Sequence, residues 1–161
     1  MKIYIYSGGE KLVGRSGVGQ AIRHQRECLR RSGVPTTDRW TQDAAAVHVN
    51  TILPDSVFAA LGAKLRGRKV IWYGHSTMED FRSSFKGSNA LAPLFKRWIT
   101  FCYSLGDVVL TPTEYSKQLL EGYGLKKPVY SISNGVDTGF FKPDSAARAA
   151  FRARYGLGRE E

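Results

Sequence analysis

The sequence predicts an α/β domain, a parallel sheet with helices on both faces, and three observations carry that prediction. Short runs of β-branched and aromatic residues alternate with longer stretches of helical periodicity along the whole chain. The first such run starts almost at the first residue. At 161 residues, 42% of them hydrophobic, the chain is long enough for one domain with a proper core and too short for two large ones.

Ile3-Tyr4-Ile5-Tyr6 reads as the first strand, and a polar loop over 7–16 follows it. That loop ends in Ser16-Gly17-Val18-Gly19-Gln20 as a helix begins. Glycines between a strand and a helix let backbone approach a ligand, and the free N–H groups of a helix start favour negative charge. A lone Gly-x-Gly lacks the third glycine of a dinucleotide fingerprint, so it points to a phosphate or sugar cleft ahead of NAD. The helix is expected over Val18–Arg31, stopped by Ser32-Gly33 with Pro35 close behind. Ala21, Cys28 and Leu29 face inward in that reading, with Ile22 and Gln25 on the flank. Arg23, Arg26, Arg30 and Arg31 form a basic stripe, either a solvated face or an anion-binding one.

Thr36–Arg39 reads as a short strand and Ala45–Asn50 as a better one, with His48 a structural residue inside it. A helix over Thr51–Arg66 tolerates Pro54 because proline fits the first turn. Lys69 to Asn89 is the stretch around which the rest is organised. Val70-Ile71-Trp72-Tyr73 reads as a buried strand that breaks at Gly74 and then presents His75, Ser76, Thr77, Glu79, Asp80 and Arg82. Ligands of open parallel sheets bind beyond the carboxyl ends of the strands, where this polar run would fall. His75 has two readings there, a strand cap or a functional ring.

Asn89 is expected to cap a long helix through Ser104 whose body, Leu91, Leu94, Phe95, Trp98, Ile99, Phe101, Cys102 and Leu105, leaves little polar face beside Lys96 and Arg97. Burial is the reading for this helix body. Phe81 and Phe85, alternating with Arg82 and Lys86, give the preceding loop an interfacial character. Val108–Thr111 is the next strand, Thr113 caps a helix over Glu114–Tyr123 that Gly124 ends, and Val129–Ile132 is the last strand. Ser133–Asp137 and then Phe140-Phe141-Lys142-Pro143 read as an extended exit, and Ser145 caps a final helix to Tyr155.

There are 24 Lys and Arg against 14 Asp and Glu, a net charge of +10 that suggests an anionic partner without choosing among nucleic acid, acidic headgroups and phosphorylated substrates. Cys28 and Cys102 have no metal-type spacing and read as reduced core thiols of a cytosolic protein, though their number also permits a disulfide. No metal site is expected. The amino terminus does not read as a signal peptide, and no run is long enough to span a bilayer.

Four motifs in order resemble the amino-terminal domain of retaining GT-B glycosyltransferases of family four. They are the Ser16-Gly17-Val18-Gly19 loop, the Gly74-His75-Ser76 strand end, Thr111–Lys117, and Ser131–Asp137 with Phe140–Pro143. A narrower likeness, in Gly74–Thr77, Glu79–Arg82, Ser84-Phe85 and Gly87–Pro93, is to bacterial synthases that glycosylate glucosyl-diacylglycerol. The resemblance implies a Rossmann-like domain over 1–137, with 138–161 crossing into a second domain that holds most of a nucleotide-sugar. That donor is a substrate, and no cofactor is implied. His75 would line the donor sugar as a hydrogen-bond partner, and Ser16, Gly17 and Gly19 would approach the diphosphate. Thr113 and Ser116 would border the cleft, and Asn134 would shape the crossing.

The same resemblance makes Ser76, Thr77, Glu79, Asp80 and Arg82 acceptor-side candidates. It makes Arg23, Arg26, Arg30, Phe81, Phe85, Lys86, Lys96 and Arg97 candidates for contact with an anionic membrane at its inner face, and the acceptor a membrane glycolipid. The chain lacks the family's Glu-rich donor motif, so no turnover is expected from it alone. The competing reading is a basic α/β nucleic-acid module with Phe81, Phe85 and Tyr115 available for stacking. No helix-turn-helix, zinc or RNA-recognition signature accompanies it, so nucleic acid is not expected as a partner.

Overall fold

In the computed structural model, which describes residues 2–9, 14 and 16–158, the strands are β1 (Lys2–Tyr6), β2 (Thr36–Thr37), β3 (Ala44–Val49), β4 (Lys69–Tyr73), β5 (Val108–Thr111) and β6 (Val129–Ser131). They form one sheet in the order β2-β1-β3-β4-β5-β6, every pairing parallel. The helices are α1 (Gly17–Arg31), α2 (Pro54–Leu65), α3 (Met78–Phe81), α4 (Ser88–Ser104), α5 (Glu114–Gly122) and α6 (Ser145–Tyr155). Residues 10–13 and 15 of the first loop and the charged tail 159–161 lie outside the described residues.

Parallel crossovers are right-handed, so the steps from β3 out to β6 place α2, α4 and α5 on one face, while the opposite step from β1 to β2 places α1 on the other. The main core lies on the first face. There Val47, Val49, Val70, Trp72, Val109 and Val129 of the strands pack against Val57, Ala60 and Ala63 of α2, Ile99, Cys102 and Tyr103 of α4, and Leu120 of α5. On the second face α1 buries Ala21 and Ile22. Towards β6 that face opens, and Tyr130 and Ile132 stand about half exposed.

Several expectations are corrected. Cys28 is exposed, because the carboxyl-terminal half of α1 overhangs the open side of the sheet and only its first turns are pressed down; Ile22, expected on the flank, is buried instead. Cys102 is buried as expected. The second strand shrinks to Thr36–Thr37, and Ile132 lies just past the end of β6. The stretch expected as a loop after Thr77 holds the short helix α3, whose cap is the Thr77 hydroxyl accepting from the Asp80 N–H at 3.1 Å. Gly87, at a φ of 93° that favours glycine, takes the cap position of α4, and the Asn89 side chain instead accepts from the Ser83 N–H. Asp144 caps α6 in place of Ser145. The body of α4 is only half buried, with Leu91, Leu94 and Phe101 exposed.

Candidate active site

The strand order turns back on itself at β1, and loops leaving β1 and β3 therefore diverge and open a crevice at the carboxyl edge. Its floor is pinned by short polar residues. Thr51 donates to the Gly8 carbonyl at 3.2 Å and pairs with Ser56 at 2.6 Å, while the Tyr6 hydroxyl donates to Asp55 at 3.0 Å. A Cβ on Gly8 would lie 2.4 Å from both the Asp55 carboxylate and the Tyr6 ring, so glycine at this position lets the backbone approach the Tyr6–Asp55 pair.

His75 sits half-buried at this edge, two residues beyond Tyr73, the last residue of β4, with Gly74 between them. Its ring stacks on Tyr73 with centroids 4.4 Å apart, and its Nε2 lies 3.5 Å from Asn50 Oδ1. An amide oxygen only accepts, so Nε2 carries the proton and Nδ1 is left as an acceptor. Burial holds the His75 pKa down at about 4, and the ring is neutral at physiological pH. Tyr73 in turn donates to the Ile132 carbonyl, and burial raises its phenol to about 12. Gly74 has no room for a side chain, because a Cβ would meet Leu120 at 3.1 Å and the Tyr103 ring at 3.3 Å.

Two phenols fix the chain beyond His75. Tyr103 of α4 accepts from the Ser76 N–H at 3.2 Å and donates to the Ser76 carbonyl at 2.9 Å. Tyr123, just after α5, accepts from the Met78 N–H at 2.8 Å and donates to the Glu79 carboxylate. The acceptor-side candidates are thus gathered in one braced segment. Within it Thr77 donates to Asp80 at 2.7 Å, Glu79 is engaged by Tyr123, and Ser76 is held through its backbone. Arg82 stands apart from them, in a hollow of about 570 Å³ shared with Lys96, Arg97 and Tyr123.

The donor-side candidates are spread along the same edge. Ser16 occupies the cap position of α1, no acidic residue stands in the first turn, and a Cβ on Gly17 would meet nothing. Gly19 is buried. Thr113 and Ser116 bond each other at 2.8 Å and cap α5, so both have a structural task. The carbonyls of Asn134 and Gly135 each lie 3.2 Å from His24 Nδ1, which ties the exit segment to α1. A cleft of about 550 Å³ opens there, walled by His24, Gln25, His48, Tyr73, Leu110 and Asn134; His75 is not part of its wall.

The membrane and anion candidates separate into two groups. On α1, Arg26 pairs with Asp38 at 2.7 Å, Arg30 chelates Glu27 at 2.7 and 2.8 Å, and Arg23 donates to the Gly14 carbonyl at 3.1 Å. The guanidinium groups of Arg30 and Arg31 pull the Glu27 carboxyl down to about 2. On the other face of the sheet, Phe81 stacks on Phe95 at 4.1 Å and meets Phe85 edge-on, Lys96 lies over the Tyr123 ring at 4.4 Å, and Lys86 and Arg97 are exposed. Sequence reasoning missed Asn50, Tyr73, His24, Tyr103 and Tyr123, because each reaches its partner from a different element. Among the described residues, no cluster of three or more His, Cys, Asp or Glu could hold a metal, and no helix is long and apolar enough to cross a membrane.

The parallel sheet with helices on both faces is a Rossmann-like arrangement, and its polar carboxyl edge is where sheets of this kind bind ligands. The family model described as Glycosyltransferase Family 4 matches residues 15–140, and the chain belongs to that family. It is 34% identical over 159 residues to the processive diacylglycerol alpha-glucosyltransferase of Acholeplasma laidlawii, a match covering 98% of this chain and 46% of that one. Two crystal structures of Anabaena Alr3699/HepE, one in complex with UDP and glucose and one with UDP-glucose, share the fold at TM-scores of 0.58 and 0.59 and 14% identity. They cover 97% of this chain and 50% of theirs. The chain therefore spans about half the length of the relatives it matches.

Proposed function

We propose that this chain is the acceptor-side domain of a retaining glycosyltransferase that moves a sugar from a nucleotide-sugar to a diacylglycerol-type glycolipid at the inner face of the cell membrane. Residues 1–137 form the domain in this reading, and 138–161 cross to a second domain needed for turnover. The observation that carries it is His75, kept neutral by burial at the carboxyl edge, stacked on Tyr73 and within reach of Asn50, beside a braced polar segment.

A neutral imidazole suits hydrogen bonding to a sugar hydroxyl. Displacement at the anomeric carbon builds charge on the leaving diphosphate, and fixed donors stabilise such charge without reorganising. The first-turn N–H groups of α1, with open space beside Gly17, are suited to that task. Ser76–Arg82 would then receive the acceptor. The relative's name supports a diacylglycerol-type acceptor, and the UDP-glucose in the Anabaena protein supports a nucleotide-sugar donor.

The test is an NMR titration of the chain with a short-chain, water-soluble glucosyl-diacylglycerol, alongside a transfer assay with UDP-glucose. Shifts concentrated on His75–Arg82 with no transfer are expected. Turnover by this chain alone, or shifts from single-stranded nucleic acid and none from the glycolipid, would overturn the reading.

A further inference from the structure

The sheet face that carries α1 holds a polar ring among apolar side chains. Side chains alternate along a strand, and Val47 and Val49 of β3 enter the main core, so His48 between them points to the opposite face. Tyr73 and Leu110 share that face, because Trp72 and Val109 beside them enter the core. His48 is 5% exposed, and its Nε2 has no hydrogen-bond partner among the described residues. The three side chains form the sheet side of the cleft of about 550 Å³ between α1 and the exit segment.

Two further side chains on the walls of this cleft are in the same condition. Gln25 of α1 has both polar atoms of its amide shielded from water with no partner, and Asn134 of the exit segment has its Oδ1 so placed. A shielded polar group without a hydrogen bond costs stability, and native proteins keep few of them. Here α1, β3 and the exit segment each bring one to the same cleft. That convergence is what a ligand site requires.

The rest of the wall says what kind of ligand fits. Leu29, Leu110, Ile132 and Val136 give it an apolar lining, and a volume of this size holds a small organic molecule. The charged wall residues are engaged within the protein: Arg31 donates to Glu27 at 2.7 Å, and Asp137 accepts from the Gly139 and Phe140 N–H groups at 2.9 and 3.1 Å. Burial holds the His48 pKa down at about 4, so that ring is neutral as well. The Gln25 amide offers a donor and an acceptor side by side, and another amide satisfies both at once.

We propose that the cleft between α1 and the exit segment binds a small neutral molecule with an apolar body and an amide-type edge, held by Gln25, His48 and Asn134. The ligand bridges the sheet and residues 132–138, so its binding steadies the segment by which the chain leaves the domain. His75 is not in this wall, and the site does not depend on the glycolipid-acceptor reading.

The probe is benzamide, titrated into the chain and followed by NMR, with ethylbenzene and benzoate as the apolar and anionic controls. Saturable shifts are expected on Gln25–Ser32, His48 and Ile132–Thr138, with a dissociation constant on the order of 1 mM, as suits a ligand of few atoms. Both controls should bind at least about fivefold more weakly. Cys28 checks the place, since it lines the cleft and is exposed while Cys102 is buried. Saturating benzamide should slow its alkylation by iodoacetate several-fold. Gln25→Met and His48→Leu keep much of the side-chain volume and remove the polar atoms. Each should weaken benzamide about tenfold and leave the melting temperature without benzamide unchanged or raised.

No saturable shift with benzamide, equal binding of either control, or shifts confined to His75–Arg82 would overturn the proposal. So would full affinity in both variants, and a lowered melting temperature beside that affinity would make the two side chains structural. Benzamide binding in this cleft with no glycolipid shifts on His75–Arg82 would sink the acceptor reading and leave the cleft intact. Glycolipid shifts there with no benzamide binding would do the reverse.

Discussion

His48, Tyr73 and His75 form a short ladder of rings along one face of the sheet, with His48 and Tyr73 centroids 5.9 Å apart and Tyr73 and His75 4.4 Å apart. Burial lowers both imidazoles from about 6.5 to about 4, and for His48 the neighbouring His75 adds to the effect. Above the unfolded value both states are neutral, and the rings make stability independent of pH. Below it the unfolded chain takes up protons that the native rings refuse, so stability falls as pH drops from about 6.5 to about 4 and levels off beneath that. His48 Nε2 is buried without a partner, so its polarity costs stability that a shape-matched apolar group would not. His48→Leu should therefore be neutral or stabilising at neutral pH and should flatten the acid limb of a melting-temperature profile. A profile unchanged in slope would mean that His48 does not titrate differently on folding.

The elements themselves were largely legible in the sequence, because a strand or helix declares itself through the spacing of nearby apolar residues. β5 runs over Val108–Thr111 as its apolar run implies, α5 starts at the Thr113 cap and stops one residue short of the expected Tyr123, and β4 starts one residue before Val70. What was not legible is long-range or decided between adjacent polar residues. Gly87 against Asn89, and Asp144 against Ser145, are choices that local propensity hardly separates. α3 was missed because a helix of 4 residues has too little periodicity to read. The exposure of α4 was missed because composition cannot say which apolar stripe meets the core.

The bracing of α3 is long-range too: Tyr123 reaches back 45 residues to the Met78 N–H. Burial and the Glu79 carboxylate keep that phenol protonated and hence able to donate. Tyr123→Phe removes both hydrogen bonds while keeping the ring beneath Lys96. It should cost about 1–2 kcal/mol and speed amide exchange of Met78–Arg82 by roughly tenfold, with β3 and β4 unaffected. Faster exchange throughout the sheet would show that Tyr123 supports the whole core instead of this segment.

At the scale of the whole molecule the decisive fact is an asymmetry. Right-handed connections put α2, α4 and α5 over one face and leave α1 alone on the other, so the sheet is fully covered on one side and open towards β6 on the second. The exit segment crosses that open side and is tied down by His24 and Tyr73, after which the chain leaves the body. α6 buries none of its residues, and Phe140, Phe141, Phe151 and Tyr155 stand exposed around it. A segment that removes so little apolar surface from water adds little to folding. If the domain boundary lies near residue 137, as proposed, a chain ending at Lys142 should keep its native spectrum and lose no more than about 1 kcal/mol in urea unfolding. A loss of several kcal/mol would make α6 part of the body and move the boundary past it.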